Sequence, residues 1–253
     1  MEKFQGRFFE EIRERLKSLG IKAILFDFDD TLIHTQELFK KYMDEFVKKV
    51  SAETGLDAKI VREDLERFNN EEYKKQGVNP ERWIVVVQRM AEERDNYGDS
   101  PVNNLHILRN IYTDEPRLKS GAVAILEILK AAGVRMALVT HANEEWTWRK
   151  LETTGIEEYF EVIKIVDENR HKGVDDWMEV ALTMGVLESE CLVLGDSLGG
   201  DVIPGVAMGA KTMWLHKGST WSMYRTGEVP EGTIHLDEIN QLLSALGVFG
   251  VKY

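Results

Sequence analysis

Five short stretches, apolar on both faces and separated by helical patterns, leave few folds open to this chain. They are Ile21 to Phe26, Val134 to Val139, Val162 to Val166, Cys191 to Leu194 and Lys211 to Leu215. Strands covered on both faces read as continuous hydrophobic runs, and such strands belong to parallel sheets flanked by helices. Between the runs, Val123, Ile125, Leu126, Ile128 and Leu129 fall at helical spacing before Gly133. Trp146 to Leu151 leads to Gly155, and Trp177, Met178, Val180, Ala181 and Met184 form a third helical face. Strands alternating with helices through right-handed crossovers give an α/β fold with a Rossmann-like parallel sheet.

One interval breaks this rhythm. From 33 to 114 no convincing strand run occurs, while Leu38, Tyr42, Phe46 and Val50 repeat every four residues. Ile60, Val61, Leu65 and Phe68 form a second helical face, Trp83, Val86, Val87 and Met90 a third, and Leu105, Leu108, Ile111 and Tyr112 a fourth. The expectation is an all-helical insertion, residues 33–114, placed after the first strand of a discontinuous core made of residues 1–32 and 115–253. A short strand at Val85 to Val87 is the alternative inside it. Ahead of the first strand, Phe4, Phe8, Phe9, Ile12, Leu16 and Leu19 mark an amphipathic helix ended by Gly20. Its polar face mixes Glu with Arg and Lys, which argues against a helix lying on a membrane.

Charge narrows the partners. Lys and Arg number 32 against 44 Asp and Glu, a formal net charge of −12. No basic surplus is available to neutralise a nucleic-acid backbone, so a nucleic-acid polymer is excluded as the general partner. The lone Cys191 rules out an internal disulfide framework and any multi-cysteine zinc site. With no membrane-spanning run and no secretion-signal pattern, the expected address is the cytoplasm. An anionic substrate must then be caught by local devices: a metal ion, a well-placed lysine or backbone N–H groups.

The most informative stretch is Phe26-Asp27-Phe28-Asp29-Asp30-Thr31-Leu32, directly after the first run. In doubly wound sheets ligands bind outside the carboxyl ends of strands. An Asp-rich turn is the competing reading of this stretch taken alone. Later strand ends add to it in order: Thr140 ends the second run, Lys172 follows the third, and Gly195-Asp196-Ser197 with Asp201 ends the fourth. All of these fall on the sheet edge that carries Asp27.

This ordered set resembles the haloacid-dehalogenase-type hydrolase superfamily. Asp27-Phe28-Asp29-Asp30-Thr31 matches its first motif, DxDxT, Thr140 the second, Lys172 the third, and Gly195-Asp196 with Asp201 the fourth. The helical insertion is similar to the superfamily's first-type cap. The resemblance implies a magnesium-dependent phosphatase. Asp27 would be the nucleophile that forms an aspartyl-phosphate, and Asp29 the general acid and then base. Thr140 and Lys172 would hold the phosphoryl oxygens and balance charge. Mg²⁺ would be held by the Asp27 carboxylate, the Asp29 carbonyl, Asp196 and, directly or through water, Asp201. A carboxylate at 29 separates phosphatases from the haloalkanoate dehalogenases, whose halide leaves without a proton. The partner is then a small phosphorylated metabolite, with no nucleic acid and no membrane. A phosphomutase or phosphotransferase on sugar phosphates is the alternative, and an aspartyl-phosphate signalling module is opposed by the DxD pair and the cap.

Departures from the pattern are Asp30 where many relatives have Gly, His34 where many have Asp, His141 where many have Asn, and Gly173 where many have Pro. Asp30 reads as a turn or helix-entry residue. His34, His141 and His171 read singly as loop residues able to reach the site, and their spacing forms no zinc triad. The tryptophans read mostly as core, and Arg82 as part of a solvated helix face.

Overall fold

The computed structural model describes residues 2–249, with side chains from Gly6 onward, so that Phe4 lies outside the described side chains. Six strands form one parallel sheet: β1 (Ala23–Phe26), β2 (Arg135–His141), β3 (Val162–Val166), β4 (Cys191–Gly195), β5 (Lys211–Leu215) and β6 (Ile234–Leu236). Their order is β3-β2-β1-β4-β5-β6. Five are the apolar runs. The sixth went unread because it is three residues long, lies at the edge and buries only Leu236.

Helices occupy the rest: α1 (Glu2–Ser18), α2 (Thr35–Thr54), α3 (Ala58–Gln76), α4 (Arg82–Glu93), α5 (Ser100–Asn103), α6 (Leu105–Arg109), α7 (Ala122–Ala131), α8 (Glu144–Thr154), α9 (Val174–Met184), α10 (Ile203–Ala207) and α11 (Leu242–Ala245). Alternation of side chains along each strand explains why the runs are apolar throughout. Ile24, Phe26, Leu138, Leu192 and Leu194 face Ile12 and Leu16 of α1 and Ile125, Leu126 and Leu129 of α7. On the opposite face Ala23, Leu25, Ala137, Val139 and Val193 meet Trp177, Val180 and Ala181 of α9. The apolar stripe of α1 is thus spent on the core. Among the described residues no helix is long and apolar enough to cross a membrane.

Helices α2 to α6 gather around their own apolar cluster, which includes Phe46, Val50, Leu65, Phe68, Trp83, Val87 and Leu108 and is joined by Trp146 of α8. Val85 to Val87 are helical, so the strand alternative fails. The expectation of a solvated Arg82 is also corrected: the residue is 1% exposed. Its guanidinium is consumed by the Asn69 side chain, the Val78 and Asn79 carbonyls and Tyr112 Oη, partners that the helical period alone does not reveal.

Register positions the site. Phe26 is level with Leu138 on one side and Leu194 on the other. Asp27, Thr140 and Gly195-Asp196 therefore leave the sheet at one edge, where β1 sits between its two crossover directions. That is the crevice in which open α/β sheets bind ligands.

Candidate active site

Asp27 continues the line of β1, its N–H donating to the Leu194 carbonyl at 2.9 Å. Its Oδ1 accepts from Lys172 Nζ at 2.6 Å and its Oδ2 from Thr31 Oγ1 at 2.8 Å. Lys172, in the loop between β3 and α9, also donates to the Val139 carbonyl at 3.1 Å. It lies 2.6 Å from Asp201 Oδ1 in a buried ion pair. Asp201 Oδ2 accepts from the Ser197 N–H at 2.8 Å. Gly195 makes room for this turn: a Cβ there would stand 2.2 Å from Asp201 Oδ2.

The cluster is buried and unbalanced in charge. Asp27, Asp196 and Asp201 each offer a carboxylate oxygen within 4.8 Å of the others. One ammonium cannot balance three carboxylates. Burial pushes the Asp27 carboxyl up to about 7, with Lys172 opposing and Asp201 and Asp29 adding to the rise. Burial, then Asp27, Asp30 and Asp201, raise Asp196 well above the carboxylate range. Burial works against the charge on Lys172, but Asp201 and Asp27 outweigh it and hold the ammonium above the ordinary lysine range. Asp196 Oδ2 is buried and finds no hydrogen-bond partner among the described residues. An unpartnered buried carboxylate oxygen in an oxygen-rich, electron-rich cluster fits a hard divalent cation.

Asp29 faces different company. Its Oδ1 accepts from Lys150 Nζ at 2.6 Å and Thr35 Oγ1 at 2.5 Å, and its Oδ2 from Thr140 Oγ1 at 3.3 Å. Its side chain is not part of the three-carboxylate cluster. Thr140, expected to hold a phosphoryl oxygen, here gives its hydroxyl to Asp29. Asp30 holds φ 57°, a left-handed conformation that Asp tolerates better than most residues, and accepts from the Gln36 N–H at 2.9 Å. It caps the start of α2, as a helix-entry residue does.

Lys150 was missed by sequence reasoning. Its side chain is fully buried, with Nζ 4.1 Å from the Trp146 ring centroid and 5.2 Å from that of Phe28. A signal existed: Lys150 stands four residues after Trp146, on the apolar face of α8.

A cavity of about 190 Å³ opens over the cluster, lined by Asp27, Asp29, Lys172 and Asp196 from below. Tyr73 of α3, His141, His171 and Tyr224 line its upper part. Tyr73 packs edge-on against Trp221 at 4.7 Å and His171 at 5.0 Å between ring centroids. Burial, with Lys172 and His171 nearby, drops the His141 imidazole to about 3, so it is neutral. His34 stays outside, with Nδ1 3.5 Å from Glu37. Contacts seal the upper wall: Trp221 Nε1 donates to Asn70 Oδ1 at 2.7 Å, and Asn79 N–H to the Glu168 carbonyl at 3.2 Å.

Comparison with known proteins gives the family and the fold. A family model for haloacid dehalogenase-like hydrolases matches residues 21–209. The chain is 25% identical over 233 residues to a glyceraldehyde 3-phosphate phosphatase from Methanopyrus kandleri, covering 89% of this chain and 97% of that one. It is 24% identical over 208 residues to the N-acylneuraminate-9-phosphatase of Rattus norvegicus, covering 78% and 83%. Among solved structures, a haloacid dehalogenase-like hydrolase from Xanthomonas campestris superposes with a TM-score of 0.72 at 16% identity, covering 90% of this chain and 91% of that one. A phosphatase of the same fold from Thermococcus onnurineus gives 0.59 at 22%, covering 91% and 100%.

Proposed function

The chain belongs to the haloacid dehalogenase-like hydrolase family, and from that premise we propose that it is a Mg²⁺-dependent phosphatase acting on small phosphomonoesters through an aspartyl-phosphate on Asp27. One observation carries the reading: the Asp27 carboxylate is paired with a buried lysine and stands beside two further buried carboxylates at a cavity. The phosphatases among its relatives support it.

In the proposed sequence the Asp27 carboxylate attacks phosphorus and the ester P–O bond breaks. The departing oxygen takes a proton from Asp29, two residues on. Water then attacks phosphorus, its proton returns to Asp29, and the bond from phosphorus to Asp27 breaks to release phosphate. Lys172 favours the ionised form of Asp27 against the effect of burial and offsets charge on the phosphoryl group, while Asp201 holds Lys172 in place. Thr140 turns its hydroxyl from Asp29 to a phosphoryl oxygen as substrate enters. Asp27, Asp196 and the Asp29 carbonyl would hold the cation, with Asp201 contributing directly or through water. When bound, Mg²⁺ supplies positive charge that offsets repulsion between carboxylate and phosphate and orients a phosphoryl oxygen. Helices α2 to α6 act as a cap that excludes bulk water.

The test is phosphate release from a panel of phosphorylated metabolites, with Mg²⁺ and with chelator. Release that depends on Mg²⁺ and disappears in Asp27→Asn is expected. No release from any ester would remove the reading.

A further inference from the structure

Three tyrosines of the helical insertion spend their hydroxyls inside the protein. Tyr42 Oη donates to Asp114 Oδ2 at 2.5 Å and Tyr97 Oη to Asp64 Oδ2 at 2.9 Å, while Tyr112 Oη accepts from Trp83 Nε1 at 3.1 Å. Tyr224, in the segment between β5 and β6, does not. It lines the cavity together with Asp27, Asp29 and Asp196. Its hydroxyl has no hydrogen-bond partner among the described residues, and the oxygen is not one of those sealed from water. Burial, then Tyr73 and the carboxylates of Asp196, Asp29 and Asp27, hold the phenol well above its ordinary range. It is therefore a neutral O–H donor set in the field of the three acidic residues around the phosphoryl position.

The segment that carries Tyr224 is built against the site. A Cβ at Gly218 would stand 2.4 Å from Asp196 Cβ and 2.7 Å from the Asp30 carbonyl oxygen, so the chain crosses here with no room for a side chain. Two residues on, Gln36 grips Thr220: its Oε1 accepts from the Thr220 N–H at 3.0 Å and its Nε2 donates to Thr220 Oγ1 at 2.8 Å. Arg225 folds back on the carbonyls of His216 and Ser219, at 2.6 and 2.9 Å. The Tyr224 ring packs 5.0 Å from that of Trp221 and 6.3 Å from that of Tyr73, between centroids. These ties fix the ring and leave its hydroxyl to whatever enters the cavity. Water satisfies it while the site is empty, and a ligand oxygen can take the place of that water.

Resting on the phosphatase reading, we infer that Tyr224 is a substrate-contacting residue outside the four motifs, its hydroxyl donating to an oxygen of the bound phosphate ester. The segment after β5 is then part of the site and not only a connection to β6.

Tyr224→Phe removes the hydroxyl alone: the ring packing stays and no bond inside the protein is lost. The parent and this variant, both Mg²⁺-loaded, are compared by kcat/KM for glycerol 3-phosphate, glucose 6-phosphate, p-nitrophenyl phosphate and acetyl phosphate, by the inhibition constant of inorganic phosphate, and by Tm. The expected result is an unchanged Tm with kcat/KM about tenfold lower for the compounds that the parent hydrolyses. A parallel weakening of inhibition by phosphate assigns the bond to a phosphoryl oxygen, and unchanged inhibition assigns it to the rest of the ester; both uphold the contact. Parent-like kcat/KM for every compound would overturn the inference and leave the phosphatase reading standing. A lowered Tm accompanying the loss would also overturn it, since the hydroxyl would then serve the fold. Failure of the parent to release phosphate from any compound would overturn the phosphatase reading and the inference with it.

Discussion

Asp27 and Asp29 are two residues apart and carry the same group, yet the fold gives them different neighbours. Asp27 is paired with Lys172 inside a carboxylate cluster, and Asp29 is held by Lys150, Thr35 and Thr140 outside it. In the proposed mechanism Asp29 delivers the proton that an alkoxide needs and a nitrophenolate does not. Asp29→Asn is therefore expected to lower kcat/KM for alkyl phosphates about 10²–10⁴-fold, with a much smaller loss for p-nitrophenyl phosphate. Lys150 touches no substrate; it positions Asp29. Lys150→Met is expected to show the same leaving-group dependence at about tenfold, whereas equal losses for both esters would mark Lys150 as a packing residue only. The gathering of these side chains was legible because each group follows an apolar run at a place the topology brings to one edge. Lys150 was not, since it sits mid-helix and its partner is supplied by packing across 121 positions of sequence.

At the scale of elements, one contact between the helices that follow β1 and the sheet edge is unusually tight. Gly77 holds φ 63°, and a Cβ there would lie 2.6 Å from the Glu168 carbonyl oxygen and 2.9 Å from that of Arg170. Both the conformation and the space require glycine. Gly77→Ala is expected to push this loop off the 168–170 segment, costing about 1–2 kcal/mol of stability and raising KM about threefold or more by opening the wall beside His141. A KM equal to that of the parent would show that the contact does not shape the site. The helical period announced these elements because their apolar faces close on one another. It did not announce which of their polar residues turn inward. Asp64, held by Arg67 of its own helix and by Arg94 and Tyr97 beyond it, and Arg82 are both buried, and most of their partners lie outside their own helices.

For the whole molecule, the buried charges link stability to pH and to metal. Asp27, with its carboxyl near 7 instead of 3.8, keeps a proton in the metal-free native state that the unfolded chain has already lost. Its contribution to stability therefore falls as pH rises from 3.8 through 7. His141 acts in the opposite sense: lowered from 6.5 to about 3, it leaves the unfolded chain with the extra proton, and stability declines as pH falls through that window. A cation must displace the proton on Asp27, so the rise in Tm produced by Mg²⁺ should grow from about pH 6 to about pH 8 and then level off. A Tm increment independent of pH would argue that Asp27 does not meet the cation. The claim on which the rest depends is the covalent one, and intact-protein and peptide mass spectrometry of acid-quenched reactions tests it directly. The expected result is the mass of one phosphoryl group on the peptide that contains Asp27 during turnover, absent in Asp27→Asn and decaying as phosphate is released. Phosphate release with no labelled enzyme at any quench time, or a label on another peptide, would contradict it.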